Sequence, residues 1–447
     1  MTAPICDFVR RYAEKEPLRL HMPGHKGVGA LGIEPFDLTE VEGADSLFEA
    51  AGIIRESERN ASGLFGADTY YSTEGSSLAI RAMLMLTVLY AKRVGKTPLI
   101  AAGRNAHKTF LSAAALLDFK LCWLPQGDGD SYLSCRPTAD TVKAFLKSSE
   151  TLPVALYLTS PDYLGNTADL ASIAEVCHRF GILLLVDNAH GAYLKFLEPS
   201  RHPIDLGADA CADSAHKTLS ALTGSAYLHI SHTAPKGFGV GVKEALAMFA
   251  STSPSYLILQ SLDALNRTLS QGYAQRLQAF LRVADEKRAR LIAHGYVFCG
   301  DEPLKWTVDA KRIGYLGTEL AERLAKKDIV CEFADRDYLV LMLTPEIGEN
   351  GLERLENALT GIEKRDEIVE QPPRVTLHDA VMTVREAMLS PSESIAAEDA
   401  VGRILAAPSV SCPPAVPILV SGERIDEDAV KAFRYYGIEA CSVVSKI

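Results

Sequence analysis

Lys217 stands in unusual company for a lysine. In "ADACADSAHKTLSALTGSAYLHI", residues 208–230, its neighbours are Ala, Ser and Gly, with only Asp209 and Asp213 close by as acids. A lysine kept from water in such a bend holds its charge less well, and its amine becomes a better nucleophile towards a carbonyl. Gly75, Ser76 and Ser77, in "YYSTEGSSLAIRAMLML", precede a helical pattern. Backbone N–H groups at a helix start, with two hydroxyls, make a phosphate cup, or an ordinary N-cap and nothing more. There is no Walker lysine, so a nucleoside triphosphate site is not indicated. Asp187 closes the apolar run of "ILLLVDNAHG". It either caps a loop or keeps a cationic ring nitrogen in its charged form. His107, in "GRNAHKT", either caps its helix or offers a planar ring, and His190 is open to the same two readings.

Together these residues form one chemical set. Pyridoxal phosphate needs donors for its phosphate, a stacking partner for its ring and an acid for its pyridine nitrogen. It also needs a primary amine for its aldehyde. The cup at 75–77, His107, Asp187 and Lys217 supply one of each.

Such a set must be held by a rigid scaffold, and the middle of the chain has the rhythm of one. Helical "SLAIRAMLMLTVLYAKRVG" (77–95) precedes apolar "PLIAA" (98–102), and helical "HKTFLSAAALLDF" precedes "KLCWL". Then come "VALYLTS" (154–160), helical "LASIAEVCHRFG" and "ILLLVDNAH" (182–190). Short apolar runs alternating with amphipathic helices predict an α/β fold, a mostly parallel sheet with helices on both faces. Ligands of such sheets lie beyond the carboxyl ends of the strands, where "GRNAH", "TSPDYLGN", "VDNAHG" and "DSAHK" fall. After about residue 235 the pattern changes to long helices, then to strands over 328–346. Polar "EKRDEIVEQPPRV" marks a boundary near 363–375, and the tail "CPPAVPILVSGERIDEDAVKAFRYYGI" is expected to form a Pro-rich strand and a helix.

Composition narrows the partners. The 447 residues are 47% hydrophobic and 23% charged, with a net charge of −11, which disfavours nucleic acid and anionic membrane as partners. Nine scattered cysteines form no CxxC pair, so neither a metal site nor a disulfide framework is expected. They fit buried thiols in a reducing compartment. The N-terminus lacks a signal-peptide core and no apolar run reaches spanning length, so a cytoplasmic protein is expected.

The chain resembles a known family, the prokaryotic ornithine/lysine/arginine decarboxylases of the aspartate-aminotransferase fold (fold type I). The stretches that carry the resemblance include "LHMPGHKG" (20–27), "DLTEVEGADSLFEAAGII" (37–54), "TEGSS" (73–77), "RNAHK" (104–108) and "SPDYLGN" (160–166). "VDNAHGAY" (186–193), "DSAHKTLSALTGS" (213–225), "STSPSYLILQSLD" (251–263) and "AVPILVSGE" (415–423) continue it. The family implies a large cofactor domain with a mostly parallel sheet and smaller α+β C-terminal parts. Mapped here, residues 1–60 would serve the dimer and the active site, and 61–250 would form the cofactor domain. Residues 251–365 would hold linking helices and a small α/β domain, and 366–447 the C-terminal domain. The chain looks like the short members, without the amino-terminal wing of the longer ones.

The resemblance also implies roles. Lys217 would bond the cofactor's aldehyde carbon, Asp187 would pair with the pyridine nitrogen, and His107 would stack on the ring. Ser76, Ser77, Ser214 and His216 would hold the phosphate, with Ala189 and His190 near the ring on the Asp187 side. Ser251 and Thr252 would reach the cofactor of a neighbouring subunit, making a homodimer or larger assembly with shared active sites. Lys217 and His216 are both candidates to return a proton to Cα. The chain departs from the family at Glu74, where Asn is usual, and at Gly224, where Gln is common. A carboxylate beside a phosphate repels it unless it points away.

The implied reaction is decarboxylation of a basic amino acid in polyamine metabolism, with arginine to agmatine preferred over lysine or ornithine. A cationic substrate end calls for carboxylates, and "CEFADRDY" offers Glu332, Asp335 and Asp337, which could equally be a solvated turn. Another fold-type-I enzyme, an aminotransferase or carbon–sulfur lyase, would use the same lysine and aspartate. An aminotransferase would add an arginine for the α-carboxylate, and Arg336 and Arg403 are available. A non-catalytic regulator is disfavoured, because such a chain is free to lose Lys217, Asp187 and His107.

Overall fold

The computed structural model describes residues 1–127, 131–373, 378–407 and 414–446. Its residues group into two compact units: 1–98, 154–156 and 170–277 in the first, 99–153, 157–169 and 278–447 in the second. The strands of the major sheet are β1 (Asp68–Ser72), β2 (Leu99–Ala102), β3 (Lys120–Trp123), β4 (Ala155–Thr159), β5 (Leu183–Asp187), β6 (Ala210–Asp213) and β7 (Ala226–Ile230).

In the first unit the strand order is β1-β7-β6-β5. β5 and β6 pair in parallel, while β7 runs antiparallel to both β6 and β1. All five side chains of β5 are buried, which explains its unbroken apolar run: a parallel strand with both faces covered has no polar face to show. The helix Gly75–Arg93 lies against this sheet with Leu78, Ile80, Met83, Leu84 and Leu86 buried. Its sequence is apolar on most sides because most of its sides are inside.

In the second unit β2 and β3 pair in parallel, and the helix Lys108–Leu117 connects them. Two smaller antiparallel sheets follow. One has the order β10-β11-β9-β8, from β8 (Phe298–Cys299), β9 (Lys305–Asp309), β10 (Phe333–Ala334) and β11 (Tyr338–Met342). The other has the order β12-β14-β13, from β12 (Ser392–Ala396), β13 (Leu405–Ala407) and β14 (Ala440–Val444). The helix Glu427–Tyr435 packs Ala429, Ala432 and Phe433 into a core shared with Leu405, Ile418 and Val443.

The Pro-rich strand foreseen in "AVPILV" is an irregular buried segment. Pro417 has no N–H to give a ladder, and the carbonyls of Pro417 and Ile418 accept from Arg104 instead. Cys412 lies outside the described residues. Among those described, no helix is long and apolar enough to cross a membrane.

Candidate active site

Lys217 sits in a single helical turn, Ala215–Thr218, between β6 and β7, and is half-buried. Its Nζ is 3.1 Å from His190 Nε2. His190 is 7% exposed and leaves β5 three residues after Asp187, so the end of β5 and the turn after β6 bring the two side chains together. Asp187 is buried at the carboxyl end of β5, and its Oδ1 accepts the Ala189 N–H at 3.1 Å. This bond engages one of the two carboxylate oxygens.

Glu74 is the N-cap residue of the helix that starts at Gly75, and its side chain makes no capping hydrogen bond. Ser76 and Ser77 lie in the first turn, where backbone donors lack partners within the helix. Ser214 donates to Ser76 Oγ at 2.8 Å, both hydroxyls being buried, so β6 and the helix start converge on one polar spot. Gly75 has a different job. Its N–H donates to Gly224 O at 2.8 Å, tying the helix start to the loop before β7.

The departures at Glu74 and Gly224 belong to the same corner. Glu74 Oε1 accepts the Ser251 N–H at 2.8 Å, which engages one carboxylate oxygen with the 251–256 segment. Ser251 and Thr252 are exposed. Gly224 has φ +96°, and a Cβ there would lie 2.9 Å from Thr73 O and from Ile258 Cδ1. A glutamine does not fit this loop as it stands.

His216 is held by Ser225. Its Nδ1 is 3.0 Å from the Ser225 carbonyl, which can only accept, so the ring proton sits on Nδ1. Burial lowers its pKa, and the neighbouring Lys217 charge lowers it further. In the neutral ring, Nε2 is then an acceptor.

A cluster that sequence reasoning missed lies behind these residues. His202, Cys211, Asp213 and His229 are all buried, with ligand-type atoms within 4.8 Å of one another. Asp213 Oδ2 is 3.0 Å from His202 Nε2 and 3.3 Å from His229 Nε2, and Oδ1 accepts from Asn188 Nδ2 at 2.7 Å. The Ile204 N–H donates to His202 Nδ1 at 3.4 Å, which puts that ring's proton on Nε2, facing Asp213. Burial alone would raise the Asp213 pKa, but the two histidines overcome it and hold the carboxyl well below the usual range. The donors serve Asp213, which in turn holds Asn188, the residue after Asp187. No sequence signal revealed this, because the two histidines and Asp213 are spread over three separate segments.

In the second unit, His107 does cap its helix: Nδ1 accepts the Thr109 N–H at 3.2 Å. The cap fixes the plane of a half-buried ring without using its faces. Asp335 Oδ1 accepts the N–H groups of Asp337 and Tyr338, so this carboxylate builds the β10–β11 turn. Its Oδ2 is buried without a hydrogen-bond partner, and burial pushes its pKa up to about 6. Asp335 also lines a cavity of about 400 Å³ with Tyr132, Phe333, Tyr435 and Tyr436. Glu332 is exposed and accepts from Tyr163 Oη at 3.0 Å. Asp337 is paired to Lys311 at 2.7 Å. Arg336 pairs with Glu370 at 2.8 Å, and Arg403 donates to Glu393 and to Val444 O.

Residues 3–299 match the family model described as the Orn/Lys/Arg decarboxylase major domain, and 363–441 match that of the C-terminal domain. An arginine decarboxylase of Bacillus subtilis is 30% identical over 462 aligned positions, covering 96% of this chain and 92% of its own. An arginine decarboxylase of Halalkalibacterium halodurans is 29% identical, with 96% and 92% covered. The solved lysine decarboxylase LdcF of Francisella novicida shares the fold, with TM-score 0.81 at 17% identity, over 99% of this chain and 81% of that one. The major sheet with its covering helices is thus of fold type I. With its major domain and its C-terminal domain both matched, the chain belongs to the Orn/Lys/Arg decarboxylase family.

Proposed function

We propose that this chain decarboxylates a basic L-amino acid, arginine before lysine or ornithine, to its amine and carbon dioxide, with pyridoxal phosphate as cofactor. The observation that carries the reading is the convergence of Lys217, His190 and the Ser76–Ser214 hydroxyl pair at the carboxyl ends of β5 and β6 and the start of one helix, with buried Asp187 ending β5. The preference for arginine rests on the two arginine decarboxylase relatives that match this chain over nearly their full length.

The donor set fits that cofactor. Lys217 Nζ would hold its aldehyde carbon, Asp187 the proton of its pyridine nitrogen, and Ser76, Ser77 and Ser214 its phosphate; His216 would join them only when protonated, since Nε2 of its neutral ring accepts. His107 is assigned to the ring face. When bound, pyridoxal phosphate supplies the conjugated cationic ring that takes up the electron pair left by the departing carboxylate. Lys217 returns the proton to Cα. His216 is the weaker choice, since its neutral ring has its proton on Nδ1, directed at Ser225 O. Asp335, with one buried carboxylate oxygen unpartnered, is the residue we assign to the cationic end of the substrate, with Glu332 as the exposed second choice. Arg336 and Arg403 already pair with glutamates, which disfavours them as an aminotransferase's carboxylate clamp.

A homodimer with shared sites fits the surface of the N-terminal segment. Leu18 and Leu20 are 85% and 84% exposed, and Met22, Val28 and Leu31 are also largely exposed. So much apolar surface on one stretch supports an interface there. A cytoplasmic setting fits thiols such as Cys6 and Cys177, which burial pushes up to about 12 and keeps protonated.

The experiment is amine formation. Purified protein with pyridoxal phosphate is offered arginine, lysine and ornithine separately, and products are resolved by mass. Agmatine as the main product supports the reading; cadaverine or putrescine reassigns the substrate. No amine from any of the three overturns it.

A further inference from the structure

The geometry points to a positioning role for the C-terminal domain: segment 415–423 and Arg385 clamp both ends of the helix headed by His107, and so set that ring. This rests on the assignment of His107 to the cofactor's ring face. It gives a task to the "AVPILVSGE" stretch, which the chemistry above left without one.

At the start of the helix Lys108–Leu117, the Lys108 N–H donates to Ala415 O at 2.9 Å. Three residues before His107, Arg104 is 2% exposed and donates to Pro417 O at 3.2 Å, Ile418 O at 3.1 Å and Glu423 Oε2 at 3.0 Å. Glu423 is also 2% exposed, and its Oε2 accepts the Val420 N–H at 2.7 Å, so the segment is folded around the ion pair. The Arg104 guanidinium lies 5.3 Å from the Trp123 ring centroid, which holds its plane. At the far end of the helix, Arg385 donates to Ala115 O at 2.6 Å, meeting a last-turn carbonyl that has no partner within the helix.

Packing alone lets a helix slide or turn. Hydrogen bonds at both ends fix its axial position, and a forked guanidinium fixes the loop's rotation. Because Thr109 N–H binds His107 Nδ1, the ring follows the helix. Ala415 adds a second sign of constraint. Its φ is +56°, a left-handed conformation that non-glycine residues seldom take, at the residue whose carbonyl meets Lys108. Buried charges that contact no substrate yet hold a site residue are the usual means of fixing a side chain to within a fraction of an ångström.

The test is a set of cofactor titrations, followed by visible absorbance at a temperature well below unfolding. Glu423→Gln and Arg385→Ala should each raise the pyridoxal phosphate concentration for half-saturation by about tenfold. Arg104→Lys, which keeps the charge and loses the fork, should fall between them and wild type. In a His107→Ala background the same changes should add nothing further, since they act through that ring. Losses that multiply with His107→Ala, or variants that melt earlier yet bind cofactor normally, overturn the positioning role. Should Glu423→Gln fail to fold, Arg385→Ala, at a partly exposed helix end, decides the question alone. Wild-type protein that takes up no pyridoxal phosphate fails the functional reading instead.

Discussion

Lys217 Nζ and His190 Nε2 are 3.1 Å apart. When Lys217 is an ammonium it can only donate, and the ring then accepts at Nε2. This contact links the strand end that carries Asp187 to the turn that carries Lys217.

Lys217→Ala should abolish the visible absorbance that appears when pyridoxal phosphate is added, and lower amine formation by at least about a thousandfold. A spectrum and a product assay check both. A variant that stays yellow removes Lys217 from its role.

Asp187→Asn keeps an acceptor for the Ala189 N–H but gives up the charge. The thermal midpoint should stay close to wild type while kcat falls by about a hundredfold or more. Equal loss of both would mean that Asp187 serves only the loop.

Asp213 accepts from His202, His229 and Asn188, all buried. Asp213→Ala leaves those donors unpaired and should cost about 3–5 kcal/mol, read from the urea midpoint. The folded-state pKa is depressed, so this carboxylate's stabilisation is fully present above its unfolded value of about 4. It is lost as pH falls through the folded value. The gap between wild type and variant should therefore narrow in acid below pH about 4. A gap that stays constant as pH falls below about 4 would contradict a stabilising charge.

Asp335 is pushed up to about 6 by burial. A carboxylate that binds a cationic side chain does so only when charged, so the KM for arginine should fall as pH rises through about 6. In Asp335→Asn that fall should vanish and KM should rise by about ten- to a hundredfold, with kcat less affected. An unchanged KM profile assigns Asp335 to its turn alone.

Gly224→Ala places a Cβ 2.9 Å from Thr73 O at a φ of +96°. Melting should show a loss of about 1–3 kcal/mol. Since Gly224 O holds the Gly75 N–H, the cofactor titration should weaken as well. A Gly224→Ala protein with wild-type melting would mean that the loop relaxes freely.

How much of this was legible in the sequence differs from residue to residue. The apolar run before Asp187 announced a buried parallel strand, because a strand covered on both faces can show no polar alternation. The small residues around Lys217 announced a tight turn between strands, and the turn is there. For His107 the sequence offered a cap or a stacking ring. The fold shows that the cap is made, through Nδ1.

Local pattern and motif order therefore determined the secondary structure of the sheet, the family and the chemical set of lysine, aspartate, histidine and serines. The tertiary structure alone decided that Glu74 turns one carboxylate oxygen to Ser251 N–H, that Gly75 is tied to Gly224, and that Asp213 is ringed by two histidines and Asn188. It also decided that "AVPILVSGE" wraps Arg104 instead of forming a strand. The physical reason is range. Period and propensity act over a few residues, whereas a buried charge is satisfied by whichever donors the fold brings to it, and Arg104 and Glu423 meet across 319 residues of sequence.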